Sequence, residues 1–182
     1  MSILYCLIAK DYNNVLCECA EYTGNFLQIS RVVLQKCIQN ESKGVLILDK
    51  YKIHFINFNN FTFFCLNEEN ENDKIFSFLS KVQNEVFKEI SIEELNKIQS
   101  YKFYKGKEIL ENNMKLFNSS PEMEKETIPT IMDVDNQIKD YNVKNIDDVF
   151  GKEMEMKIII NRNFSLLIII SPPCDLSHAK YC

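Results

Sequence analysis

The chain has 182 residues, 46% of them hydrophobic and 26% charged, with a formal net charge of −5. That composition supports one ordinary domain with an appended segment and excludes disorder throughout. The acidic balance argues against a general binder of phosphate backbones, which carries a basic face. Seven cysteines, at 6, 17, 19, 37, 65, 174 and 182, include no CxxC pair. Cys6, Cys17, Cys19, Cys37 and Cys65 are therefore expected to be small reduced core residues, and with no signal peptide the expected compartment is the cytosol.

The run 3–9 is apolar at both parities, as a strand covered on both faces requires, and it should be central in its sheet. Turn residues 11–14 lead to a second strand at 15–20, giving a hairpin. Thr23, Gly24 and Asn25 break the strand and offer side-chain oxygens to a helix start. Phe26, Leu27, Ile29, Ser30, Val33, Leu34, Cys37 and Ile38 recur at three- and four-residue spacing, predicting an amphipathic helix over 26–39. Apolar runs at 45–48, 52–58 and 61–66, separated by Asp49-Lys50 and Asn59-Asn60, predict a three-stranded meander. Lys52, His54, Ile56 and Phe58 alternate against Ile53, Phe55 and Asn57, so one face of the middle strand turns partly polar toward one end. Ile75, Leu79, Val82, Val86 and Ile90 then form a helical stripe that Phe76 and Phe87 widen, with Asn72 or Asp73 as the cap. Ser91 and Glu94 have capping-box spacing, and Ile109, Leu110, Met114 and Phe117 predict a further helix over 106–117. Residues 118–130 lose periodicity, carry two of the four prolines and are expected to be a flexible linker.

Strand, strand, helix, three strands and then helices is an order that resembles the longin domain of the long vesicle-associated SNAREs. The likeness is carried by Ile3-Leu4-Tyr5, by Thr23-Gly24-Asn25-Phe26-Leu27, by 51–58 and by Phe76-Ser77-Phe78-Leu79. It implies an α+β fold: a longin (profilin-like) five-stranded antiparallel sheet with one helix on one face and two on the other. A linker and a C-terminal helical SNARE-like segment would follow. The expected boundaries are 1–117 for the longin domain, 118–130 for the linker, 131–170 for a partial SNARE coiled-coil segment and 171–182 for an irregular tail.

The stretch Asn145-Ile146-Asp147-Asp148-Val149-Phe150-Gly151-Lys152-Glu153 resembles the part of a synaptobrevin helix that leads to an arginine in the bundle's central polar layer. Lys152 holds that position here. Counting from it in alternating steps of three and four, the inward positions are Val149, Asn145, Asn142 and Ile138 on one side. On the other they are Met156, Ile159, Asn163, Leu166 and Ile170. Three of these are asparagines, so the seam is partial. A lysine lacks the planar fork with which arginine bonds several amide oxygens at once, so weaker central-layer specificity is expected.

A spanning helix needs about 20 mostly apolar residues, whereas the apolar run 166–170 is bracketed by Asn161-Arg162-Asn163 and Ser171-Pro172-Pro173. No transmembrane helix is expected, and Pro172 and Pro173 would end any coiled coil. Cys182 is terminal and so cannot be a prenylated CaaX cysteine, and nothing beside Cys174 or Cys182 supports palmitoylation. The chain is expected to be either truncated within its SNARE motif or a soluble relative, one that docks but does not fuse. It would be cytoplasmic and peripheral to endomembrane vesicles.

The resemblance implies a vesicle-trafficking protein whose helix joins glutamine-type SNARE helices in a four-helix bundle. Each well-packed large side chain would contribute on the order of 1–3 kcal/mol there. The longin domain would bind trafficking adaptors or fold back on the SNARE helix in an intramolecular contact. Leu34, Leu46 and Leu48 would then line a groove between the first helix and the third strand, or belong to the ordinary core. The alternative is a soluble longin adaptor or regulator without SNARE activity. Enzyme chemistry has little support, with two histidines (His54 and His178), four glycines, and no nucleophile elbow, Walker loop or HExxH pattern. No cofactor, metal or nucleic-acid partner is expected.

Overall fold

The computed structural model describes residues 2–36, 38–39, 41–68, 72–119 and 142–145, with the backbone of 160–161. β1 (Ile3–Lys10) and β2 (Asn14–Ala20) form the expected hairpin. Asp11 and Tyr12 both take positive φ, 54° and 59°, the turn geometry whose twist matches that of antiparallel strands. After β3 (Thr23–Gly24) comes α1 (Phe26–Lys36), followed by the meander β4 (Lys43–Leu48), β5 (Tyr51–Phe58) and β6 (Phe61–Asn67). Then follow α2 (Asn72–Glu89), the short α3 (Ile92–Leu95), α4 (Tyr104–Ser119), β7 (Asn142–Asn145) and β8 (Ile160–Asn161).

The main sheet has the order β2-β1-β6-β5-β4-β7, and its pairs are antiparallel except the last, where β7 lies parallel to β4. β1 is interior, as its two apolar parities require, and every residue of β6 is buried. Alternate β6 residues face opposite ways. Phe64 and Leu66 join Leu4, Leu7, Leu46 and Ile53 beneath α1, where Phe26, Ile29, Val33 and Leu34 close the layer. Phe63 and Cys65 join Cys6, Ile8 and Val45 on the other face, under Phe76, Leu79, Val82 and Val86 of α2 and Ile109, Leu110 and Met114 of α4. One helix thus covers one face and the later helices the other.

Local chemistry sets the element ends. The capping box is formed: the Glu94 N–H donates to Ser91 Oγ at 3.3 Å and the Ser91 N–H donates back to Glu94 Oε2 at 3.3 Å. α1 stops at Lys36 rather than running to 39, and Ile38 is buried beyond its end. There the Asn57 Nδ2 donates to the carbonyls of Ile38 (2.9 Å) and Glu41 (2.7 Å), fixing the loop as a turn. α4 starts earlier than expected, at Tyr104, because Phe103 folds over Gly106. A Cβ on Gly106 would sit 2.1 Å from Phe103 Cδ1. Among the described residues no helix is long and apolar enough to cross a membrane.

Two expectations are corrected. The five expected antiparallel strands are present as β2-β1-β6-β5-β4, but β7 adds a sixth, parallel strand, and the span 131–170, expected to be helical, is extended at Asn142–Asn145. Asn and Val are weak helix formers, and the open side of β4 offers their backbone ladder partners instead.

Candidate interaction site

β4 is the edge of the meander, and its free side is where the distal chain returns. Gly44 pairs with Asn142, Val45 with Val143, Leu46 with Lys144 and Ile47 with Asn145. The approach is close: a Cβ on Gly44 would lie 3.1 Å from the Asn142 carbonyl oxygen and 2.8 Å from Phe55 Cζ. Glycine at this position therefore serves both the core and the docked strand.

Side chains reinforce the ladder at one end. Residues two apart on a strand share a face, so Asn142 and Lys144 point the same way. Both reach Glu41. Asn142 Nδ2 donates to Glu41 Oε2 at 2.7 Å, and Lys144 Nζ donates to Glu41 Oε1 at 2.7 Å. The Lys144 ammonium, and then the Asn142 amide, hold the Glu41 carboxyl below its ordinary pKa. Glu41 is itself positioned by the turn that Asn57 fixes, and Asn57 in turn accepts from Thr62 Oγ1 at 2.6 Å. A buried β6 hydroxyl, a β5 amide, the α1–β4 turn and the β7 lysine form one connected network.

Further along, Ile160 pairs with Gly24 and Asn161 with Thr23, an antiparallel contact beside the start of α1. The returning chain thus touches the longin-like body at both the β4 edge and β3. The opposite edge of the sheet is served locally. The Tyr101 N–H donates to the Val15 carbonyl at 3.0 Å and the Phe103 N–H to the Leu16 carbonyl at 3.3 Å.

Leu34, Leu46 and Leu48 are brought together in the core beneath α1, at 0%, 2% and 4% exposure. They sit behind the β4 edge rather than on an open surface. Asn145 lies at the end of β7, whereas Ile138, Val149, Lys152, Met156 and Ile159 lie outside the described residues, as does His178. Glu41, Gly44, Asn57 and Lys144 were not singled out as site residues by sequence. The one trace was the partly polar character of the middle strand, in which Asn57 is one of three polar residues with Lys52 and His54.

His54 and three cysteines are packed into the sheet. His54 is fully buried, its Nε2 2.9 Å from Asn72 Oδ1 and its ring edge-on to Phe76. Burial pulls its pKa down to about 4, against hydrogen bonding that favours the charged form. Cys6 faces Cys19 on one side and Cys65 on the other, across β2, β1 and β6. Burial raises the Cys6 and Cys17 thiols well above their usual range and Cys19 to about 11, so all three stay protonated. Cys37 lies outside the described residues.

A family model for longin, described as a regulated-SNARE-like domain, matches residues 16–109, just over half of the chain. Vesicle-associated membrane protein 7B of Dictyostelium discoideum is 33% identical over 85 residues, 46% of this chain and 32% of that protein. Vesicle-associated membrane protein 712 of Arabidopsis thaliana is 24% identical over 169 residues, 91% of this chain and 75% of that protein. The chain therefore spans about a third of the first relative and three quarters of the second. With this match and with a helix-covered sheet of the order its sequence implies, the chain belongs to the longin family of regulated-SNARE-like domains.

Proposed function

We propose that this is a vesicle-trafficking SNARE-like protein whose longin domain restrains its own SNARE-like segment, residues 131–170. The observation that supports this most is β7. Its four residues carry two expected seam positions, Asn142 and Asn145, and they pair as a strand with β4. A strand and a helix cannot be formed by the same residues at once. Recruitment of this segment into a four-helix bundle therefore competes with its pairing to β4, which makes the segment a two-state element.

On this reading the function is binding rather than catalysis. Glutamine-type SNARE helices are the partners of the open segment, with Lys152 in the central layer and Ile138, Val149, Met156 and Ile159 in the seam. The β4 edge is the intramolecular partner of the closed segment. The expected site of action is the cytoplasmic face of endomembrane vesicles, reached through trafficking adaptors and partner SNAREs.

The test is assembly with the full chain. Mixing it with cognate glutamine-type SNARE helices should give a heat-resistant complex, a gain in helical circular dichroism and faster amide exchange at Val45 and Ile47, whose N–H groups face β7. Absence of any helical gain would instead favour a longin adaptor without SNARE activity.

A further inference from the structure

The backbone ladder between β4 and β7 carries no sequence information, because any extended segment can present the same N–H and C=O groups. Something must select Asn142–Asn145, and this register, from the rest of the chain. The selecting group has to be fixed in place, has to face the edge, and has to read side chains that share one face of the incoming strand.

Glu41 meets all three conditions. Its backbone is held by the Asn57 amide, which Thr62 orients in turn. Its two carboxylate oxygens take one partner each, an amide from Asn142 and an ammonium from Lys144, both at 2.7 Å. The partners are two residues apart, the spacing that places side chains on the same face of a strand. A slip of one residue along β4 would present Val143 and Asn145 to the carboxylate and leave it without a cation.

We propose that Glu41 is the specificity-determining residue of the β4 edge. It selects an extended segment bearing a side-chain amide and, two residues later, a lysine ammonium, and it holds residues 142–145 of this chain in register. This rests on the closed state proposed above and adds what controls it. Lys144 is then a modification-sensitive position. Acylation of its amine by an activated acyl donor forms an amide and releases a proton and the donor's leaving group. The positive charge is removed and the Glu41 carboxylate loses its stronger partner.

Charge reversal tests the assignment. Amide hydrogen exchange would be measured on the full chain as wild type, E41K, K144E and the double variant E41K/K144E, with β1 and β6 as an internal reference for the fold. Either single reversal should speed exchange at Val45, Ile47 and Lys144, the amides that face the β4–β7 ladder, by about five- to ten-fold. The double variant should return exchange to within about two-fold of wild type, since a restored ion pair recovers the register, and Asn142 can turn its oxygen toward a lysine. Should E41K disturb β1 and β6, E41Q replaces it and should give the same opening. Wild-type protection that survives both single reversals, or that the double reversal fails to restore, overturns the role of Glu41 and leaves the closed state standing. A wild-type segment 142–145 that exchanges freely overturns both.

Discussion

His54 shows how a residue that looks chemical in the sequence becomes structural in the fold. It sits in a strand whose neighbours are aromatic and aliphatic, and burial holds it neutral, with its pKa near 4 against an ordinary 6.5. The sign follows from linkage. Below pH 6.5 the unfolded chain binds a proton that the folded chain refuses, so this contribution to stability is complete above 6.5 and is lost as the pH falls toward 4. The full shift corresponds to about 3 kcal/mol. Urea unfolding should show a steeper loss of stability between pH 6.5 and 4.5 in wild type than in His54→Leu, and equal slopes would exclude the histidine as the cause. Asn57 is the opposite case, an amide that looks incidental in the sequence and anchors the turn carrying Glu41. Its partners are two backbone carbonyls and a hydroxyl supplied by other elements, and no local spacing announces such a pairing.

Elements were legible where their signal was local and periodic. The stripe from Ile75 to Val86 gave α2, the alternation around Lys52 and Phe58 gave β5, and Ser91 with Glu94 gave the cap of α3. β7 was illegible for the same reason. Four exposed residues pair with a strand almost a hundred positions earlier, and no local periodicity signals such a pairing. α4 offers a test of what sets an element's start. Replacing a helical glycine by alanine normally stabilises by about 1 kcal/mol. At Gly106 the new Cβ would meet the buried Phe103 ring, so Gly106→Ala should instead destabilise by about 1–3 kcal/mol. A raised melting temperature for that variant would show that Phe103 can move aside without cost. Fraying should also differ between elements. β7 makes one parallel ladder with a far part of the chain and its residues are exposed, so its amides should exchange well before those of β6.

For the whole molecule, the two sheet edges are finished in different ways. The β2 edge is bonded by residues 101 and 103, close to it in the same domain, whereas the β4 edge is bonded by a strand almost a hundred residues further along the chain. Burial divides the same way. The two core layers on either side of the sheet are complete without β7, whose Val143 is 52% exposed. Loss of β7 should therefore leave the domain folded.

Opening then does more than free a segment: it uncovers an adhesive. A stripped β4 presents unpaired backbone groups to the solvent, with Gly44 near one end where no side chain keeps another backbone away. Every copy of the chain also carries the strand that fits it. Chains opened by E41K and by K144E should therefore exchange β7 segments when mixed, since each edge then meets a strand of opposite charge, with reciprocal dimers growing as concentration rises in sedimentation or light-scattering measurements. If the opened chains stayed monomeric across that range, another part of the protein must cover the edge when β7 leaves.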